Sequence, residues 1–483
     1  MSALPPLTIP IAFGAALGAA TTSLALGAGD TDVYWHLATA REFLEHGLVR
    51  ADVFSWTVRG QPVGTDQWLG QILLYLGYAA GEWRGVLAVR AIAVALLVGL
   101  LVAAALLRRP ERPLVAVVAA LPAVLLSRFA WVERPELFGL VCLAALALLF
   151  QLRGTRPLVL AGVLLVLWAN LHGSFALGAA LTLLVGAYGL RADPARRTGY
   201  LVAMAGAVLS FVATPAGLGT LLAPGEHLLD PPRQIQEWIV PDPLTFPGAL
   251  WALTLGLILV TAALAPPARA IDVLLIVPVA ALSLTAARQM PLFAVVAAPY
   301  LADRGPAAWA ELRRRMGFEL HLPPLAAPPP IPRRFDAIAA VLGLALVLGA
   351  AALGPAVPDE TDLPVAALAE LPAGPGLLAH YDFGGWLIWR APQTPVFIDG
   401  RLVPYRRGDP SVLQDYVRIV EAKPGWPEVV ARRGVRWILV RPADPIAVRG
   451  VDLGWRTLSA SRSHILMEVA APERTARLRT ARR

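Results

Sequence analysis

The chain has 483 residues, of which 57% are hydrophobic and only 16% charged, with a mean hydropathy of +0.60. Soluble domains carry about 25% charged and roughly 45–50% apolar residues, so the composition excludes an ordinary soluble enzyme and indicates a polytopic membrane protein. The formal charge of +8 is almost entirely arginine in short clusters between apolar runs, a pattern that sets topology and leaves no nucleic-acid footprint.

A spanning helix needs about 20 apolar residues. The runs of suitable character are 4–28, 84–107, 114–128, 136–152, 158–171, 175–190, 199–222, 249–265, 273–287, 291–303 and 335–354, giving about eleven spans. A shorter apolar helix, 67–80, either lies along the interface or extends the second span. The first run lacks the basic flank and cleavage site of a signal peptide and reads as a retained membrane helix. Cys142, the single cysteine, lies within an apolar run, so no disulfide or cysteine metal site forms within one chain.

Arginine clusters at 108–113, 153–157, 191–197, 266–272 and 303–334 fall on alternate loops, which the positive-inside rule assigns to the cytoplasm. The segments 29–66, 128–135, 171–174, 223–248, 287–290 and the tail after 354 then face outward, with the N-terminus cytoplasmic. This predicts a multi-pass protein of the cell's inner (plasma) membrane. The expected division is a membrane domain over 1–354 and an extracytoplasmic α/β domain over 355–483. In that tail "GLLAHYD", "TPVFIDGR" and "VRWILV" read as strands, and "SVLQDYVRIVEA" and "WPEVVARRG" as helices.

The first outer segment, "GDTDVYWHLATAREFLEHG", opens with Asp30 and Asp32 and continues as an amphipathic helix bordered by Tyr34 and Trp35, with His36 a candidate substrate-binding residue. Such a helix lies in the interface plane and holds the acids at lipid-phosphate depth. There they can grip a divalent cation, Mg²⁺ or Mn²⁺, or take a proton from an acceptor hydroxyl; equally, either acid can cap the helix. In the next outer segment, "SRFAWVERPELFG", Glu133 and Arg134 are ionisable groups at membrane depth: a catalytic acid and a phosphate ligand, or an interface salt bridge. His172 of "WANLHGSF" can bind phosphate or act as acid or base, or be a structural hydrogen-bond partner.

Glu237 of "QIQEW" lies in the long 224–248 segment, whose Pro-rich flanks suit a hinged cover. Arg288 of "TAARQMPLF" can pair with a lipid phosphate or merely snorkel. In the tail stretch "HYDFGGWLIWRAPQTPVFIDGR", Tyr381, Asp382, Trp386, Asp399 and Arg401 are candidate substrate-binding residues. The alternative is that the glycines make a tight turn and the tryptophans are core.

These stretches resemble known proteins. "GDTDVYWHLATAREFLEHG" followed by "DVFSWTVRGQPVGTDQWLGQILLY" resembles the first outer loop of GT-C glycosyltransferases, and is similar to that of oligosaccharyltransferase catalytic subunits. The resemblance makes Asp32 the metal-binding acid, although Val33 stands where that family has proline. "QIQEW" resembles their acid-bearing loop motif, and "HYDFGG" looks like a degenerate "WWDYG" acceptor motif. The chain is also similar to bacterial polytopic glycosyltransferase-like proteins with a "GDPDTWWH" start and a "VFIDGR" tail.

What the resemblance implies is a GT-C-like helical membrane enzyme. It would transfer a sugar from a polyprenyl-phosphate donor to a glycan, lipid or protein acceptor, in contact with membrane lipid and without nucleic acid. The alternatives are an oligosaccharyltransferase-like enzyme acting on protein, and a non-catalytic lipid or solute transporter or envelope scaffold.

Overall fold

The computed structural model describes residues 8–65, 67–217, 219, 236–317, 333–355 and 357–470. The expected apolar runs lie on helices: α1 (Thr8–Ala25), α3 (Trp68–Arg108), α4 (Pro113–Ser127), α5 (Glu136–Gln151), α6 (Arg156–Leu171), α7 (Phe175–Ala192), α8 (Arg197–Ser210), α9 (Phe246–Leu264), α10 (Ala270–Ser283), α11 (Met290–Met316) and α12 (Arg333–Leu353), with the run expected over 199–222 ending at Ser210 and the one expected over 291–303 extending to Met316. The amphipathic stretch after the first run is α2 (Val33–His46). The short 67–80 helix continues into α3, interrupted where Gly81 and Glu82 leave helical geometry, Glu82 at φ 50°.

The chain divides into two compact units. One comprises Met1–Gly27, Asp66–Leu73 and Ala79–Ala356; the other comprises Ala28–Thr65, Leu74–Tyr78 and Val357–Arg483. The segment expected as a loop of the membrane domain, 29–66, is thus grouped up to Thr65 with the C-terminal residues.

The first unit is a membrane-type helix bundle. On α4, Leu114, Val118, Leu121 and Leu125 are exposed while Ala116, Ala120 and Ala123 are fully buried. Large apolar side chains outward and small ones inward is the arrangement for a lipid solvent, where packing rather than water expulsion joins helices. Helix α4 packs on α11, which also contacts α9 and α10; α6 packs against α5 and α8. The α6–α8 approach runs over Gly162 and Gly206, where a Cβ on Gly162 would lie 3.0 Å from the Val202 carbonyl. Among the described residues, four helical stretches, Trp68–Arg108, Pro113–Ala130, Phe175–Ala192 and Phe246–Leu264, are long and apolar enough to cross a membrane. Helices such as α8, 14 residues long, need a thinned bilayer or flanking residues to span about 30 Å at roughly 1.5 Å per residue.

The second unit contains a four-stranded sheet in the order β1-β2-β4-β3: β1 (Leu377–Ala379) parallel to β2 (Trp437–Val440), then β4 (Ile465–Glu468) and β3 (Arg456–Ala460) antiparallel. Strands β1 and β2 and the helices Val412–Val420 and Trp426–Arg433 match expectation. Two readings are corrected. "TPVFIDGR" is not a strand; Val396 makes one isolated bridge to Ser55. The stretch after His380 is not a tight turn but a helix, α13 (Tyr381–Arg390), capped by the His380 side chain accepting from Asp382 N at 3.2 Å.

Candidate functional site

In the second unit the two expected acids stand at the start of α2. Asp30 Oδ1 accepts from the Asp32 amide at 2.8 Å, forming a tight Asx turn. Asp32 occupies the cap position of α2, yet its side chain makes no cap hydrogen bond. The capping alternative therefore does not describe its carboxylate. That carboxylate instead rests on Gly400: a Cβ there would run into Oδ1 and lie 2.9 Å from Trp35 Nε1. The indole N–H of Trp35, 6% exposed, has no hydrogen-bond partner among the described residues, although buried indoles usually find one.

Two further glycines bring this corner together. A Cβ on Gly385 would lie 3.0 Å from the Thr31 carbonyl and 3.2 Å from Trp35 Cδ1; one on Gly384 would lie 2.9 Å from Asp399 Cα. Paired glycines inside a helix cost conformational entropy, and the close approach of α2 and the 398–400 segment is what requires them.

Asp399 and Arg401, expected to meet ligand, are held within the protein. Arg401 donates to Asp399 at 2.8 and 2.6 Å and pairs with Asp52 at 2.7 Å. Tyr405 donates its hydroxyl to Asp399 at 2.5 Å, and Asp52 also accepts from the amides of Phe54 and Ser55. Burial opposes the Arg401 charge, but Asp399, Tyr405 and Asp52 raise its pKa well above the ordinary value. This clamp fixes the loop that carries Gly400. Asp52 was not singled out in the sequence; its Asp-x-x-Ser spacing is the available signal.

Trp386, expected to stack on a sugar, is fully buried, with its indole donating to Glu360 at 3.0 Å, where Tyr34 also donates at 3.1 Å. It is core, and no ring face remains for a ligand. His36, 3% exposed, stacks on Trp35 with ring centroids 3.6 Å apart, and so supports the α2 corner from within. Tyr381 and Asp382 stay half-exposed at the start of α13. The Tyr381 amide donates to Tyr416 Oη at 2.8 Å, and Asp382 pairs with Arg441 at 2.6 Å. Beside them, burial lowers the His380 pKa, with Asp382 and Asp444 opposing.

In the first unit, three expected residues from distant parts of the sequence converge. Glu237 bridges two guanidiniums, Oε1 to Arg288 at 3.1 Å and Oε2 to Arg134 at 3.3 Å. Arg288 also pairs with Glu136 at 3.1 Å and stacks on the Trp238 ring at 4.5 Å. The cluster is partly exposed, from 18% at Glu136 to 36% at Glu237. Much of the expected cover, 224–235, lies outside the described residues.

Glu133 is placed elsewhere. It is 1% exposed and ion-paired with Arg90, whose guanidinium also donates to Ser23 Oγ at 3.0 Å and to the Gly27 carbonyl at 2.9 Å. A cation on the closing carbonyls of α1 meets the negative end of the helix dipole. Glu133 thus neutralises a structural arginine, and its expected catalytic duty finds no geometry. Arg90 was overlooked although it sits inside an apolar run, which is itself a signal.

His172 accepts at Nδ1 from the Ser174 amide at 3.2 Å and lies 2.9 Å from Ser174 Oγ, which takes the Trp168 indole N–H at 3.1 Å. The amide donor fixes the neutral tautomer with its proton on Nε2. Nearby, Trp68, Leu69, Val163, Val166, Leu167 and Asn170 line an apolar recess of about 500 Å³.

No protein-family model matches the sequence, and no curated protein matches it. Solved structures do. Apo ArnT from Cupriavidus metallidurans aligns over 96% of this chain and 98% of that one, with TM-score 0.52 and 14% identity. The Archaeoglobus fulgidus oligosaccharyltransferase tethered with an acceptor peptide aligns over 89% and 68%, with TM-score 0.48 and 13% identity. The oligosaccharyltransferase AglB of the same organism, in complex with an inhibitory peptide and a dolichol-phosphate, aligns over 90% and 69%, with TM-score 0.47 and 13% identity. The near end-to-end match to ArnT shows that this chain has the fold of that structure, and with its long apolar helices and the exposed leucines of α4 it is a helical membrane protein.

Proposed function

We propose that the chain is a membrane glycosyltransferase that moves a sugar from a polyprenyl-phosphate donor to an acceptor on the extracytoplasmic face of the inner membrane. About eleven helices cross the bilayer in this reading, with the N-terminus inside and residues 355–483 outside. The observation that carries it is the Asp32 carboxylate, withheld from the helix cap it occupies and seated on Gly400. A carboxylate fixed in this way suits work on a ligand, and the likeness in fold to ArnT supports reading that ligand as a glycosyl donor or acceptor.

In the second unit, Asp32 with Asp30 is the proposed reacting pair; in the first unit taken by itself, Arg134 and Arg288 are proposed ligands of a lipid phosphate, and the recess beside Trp68 suits an isoprenoid chain. His172, Tyr381 and Asp382 are the remaining half-exposed candidates for donor or acceptor contacts. Among the described residues no group of three or more His, Cys, Asp or Glu side chains gathers. The proposed ion is Mg²⁺ or Mn²⁺, because Mg²⁺ commonly takes one or two carboxylates, with water and substrate phosphate completing its shell. Asp30 and Asp32 would hold the ion, and its charge would neutralise the phosphate as it leaves. The chain's own part is positioning and charge balance, the main source of rate in such transfers.

The test is the glycan and lipid-linked sugar profile of a deletion strain, by mass spectrometry, after complementation. The wild-type chain restores the missing product and Asp32→Asn does not, at equal protein level. Full restoration by the Asn variant would remove this reading.

A further inference from the structure

The cluster around Glu237 has a property that the expected roles of its members do not contain. One carboxylate spans two guanidiniums, each oxygen serving a different arginine, and a second carboxylate, Glu136, holds the far side of Arg288. Two arginines converging on one oxyanion is how proteins hold phosphate, because each planar fork matches adjacent oxygens of the anion. Here the anion between them is a side chain of the protein itself.

We infer that Glu237 is an internal stand-in for the polyprenyl phosphate that sugar transfer releases: it occupies the anion position between Arg134 and Arg288 and is displaced when that phosphate monoester forms or binds. The inference rests on the reading that the chain uses a lipid-phosphate donor. Partial exposure of every member makes exchange feasible, since half-solvated ion pairs are individually weak. A phosphate monoester brings more charge and more acceptor oxygens than the carboxylate it replaces.

Glu237 is tied to a short stretch. Trp238 stacks on Arg288, and the Ile239 carbonyl accepts from the Ala287 amide at 2.8 Å. Displacing the carboxylate removes the ion-pair tie between residues 237–240 and Arg288 and leaves the stretch held by the Trp238 stacking and the Ile239–Ala287 bond alone, a weaker attachment. The resting pairing keeps two arginines neutralised and this stretch in place; the arriving anion takes over the arginines and leaves it more weakly held.

The experiment titrates the purified full chain in detergent with farnesyl phosphate, farnesol and inorganic phosphate, by calorimetry, for the wild type, Arg288→Ala and Glu237→Gln. Farnesyl phosphate binds the wild type. Arg288→Ala weakens it roughly tenfold or more, whereas Glu237→Gln tightens it roughly threefold to tenfold by removing the competitor. Farnesol is unaffected by either change, and inorganic phosphate follows the same order if the headgroup alone suffices.

Hydrogen exchange on the unmutated chain provides an independent readout, with farnesyl phosphate speeding deuterium uptake over 237–240. If Arg288→Ala weakens binding but Glu237→Gln weakens it too or changes nothing, or if uptake over 237–240 falls or stays level, the stand-in role is wrong and the phosphate reading survives. If farnesyl phosphate binds no better than farnesol to any of the three chains, both fall.

Discussion

The carboxylate of Asp32 lies against the α-carbon of Gly400, some 370 residues further along the chain, where any Cβ would collide with it. A glycine is required there by the neighbour, not by its own backbone angles. Gly400→Ala is expected to push the carboxylate aside and lower product formation by roughly tenfold to a hundredfold, the cost of about an ångström of misplacement. Complementation measured beside thermal unfolding checks it: product falls while the unfolding midpoint changes little.

The Asp52–Arg401–Asp399 clamp makes a different prediction, about stability. Arg401→Ala leaves two buried carboxylates without their cation, and breaking such a pair typically costs about 3–5 kcal/mol. Chemical denaturation of the purified chain should show this loss. Arg401→Lys recovers only part of it, because an ammonium cannot serve both oxygens of Asp399 in the fork geometry.

The Arg90–Glu133 pair separates structural from catalytic readings of Glu133. Glu133→Gln is expected to lower thermal stability through the unneutralised Arg90. Replacing both partners by Met and Leu restores much of it, since apolar substitutes for a buried pair are often neutral. The double variant should also keep its product in cells. A stable double variant without product would return Glu133 to the chemistry.

His380 supplies a pH dependence. Its folded pKa lies below the ordinary 6.5 because burial disfavours the imidazolium. The unfolded chain therefore takes up the proton first as pH falls. The stabilising contribution is complete above about pH 6.5 and is lost as pH drops through the lower folded value. His464, also lowered by burial, acts in the same direction. Unfolding midpoints measured from pH 8 to 5 should fall over the acidic half, less steeply in His380→Asn.

The helices of the bundle were readable because a lipid solvent demands long apolar runs and arginines punctuate them. The convergence of Arg134, Glu237 and Arg288 was half readable: each was conspicuous as a charge at a helix end, but their mutual pairing is a property of packing. The sheet was read only where it is buried. Strands β1 and β2 are apolar, whereas β3, "RTLSA", is largely exposed and carries no alternating apolar pattern. The tail motif misled in a specific way. Two adjacent glycines after an Asp suggest a turn, and nothing local reveals that Thr31, Trp35 and Asp399 require the space their side chains would fill.

Gly384, Gly385 and Gly400 also constrain how such a protein can vary. Segments 31–35 and 384–400 are cast against each other, so bulk gained by one must be surrendered by the other. Recombination that draws them from different parents would fit a foreign surface to each. Chimeras in which the two segments travel together should fold, and those that separate them should fail even when every helix of the bundle is native.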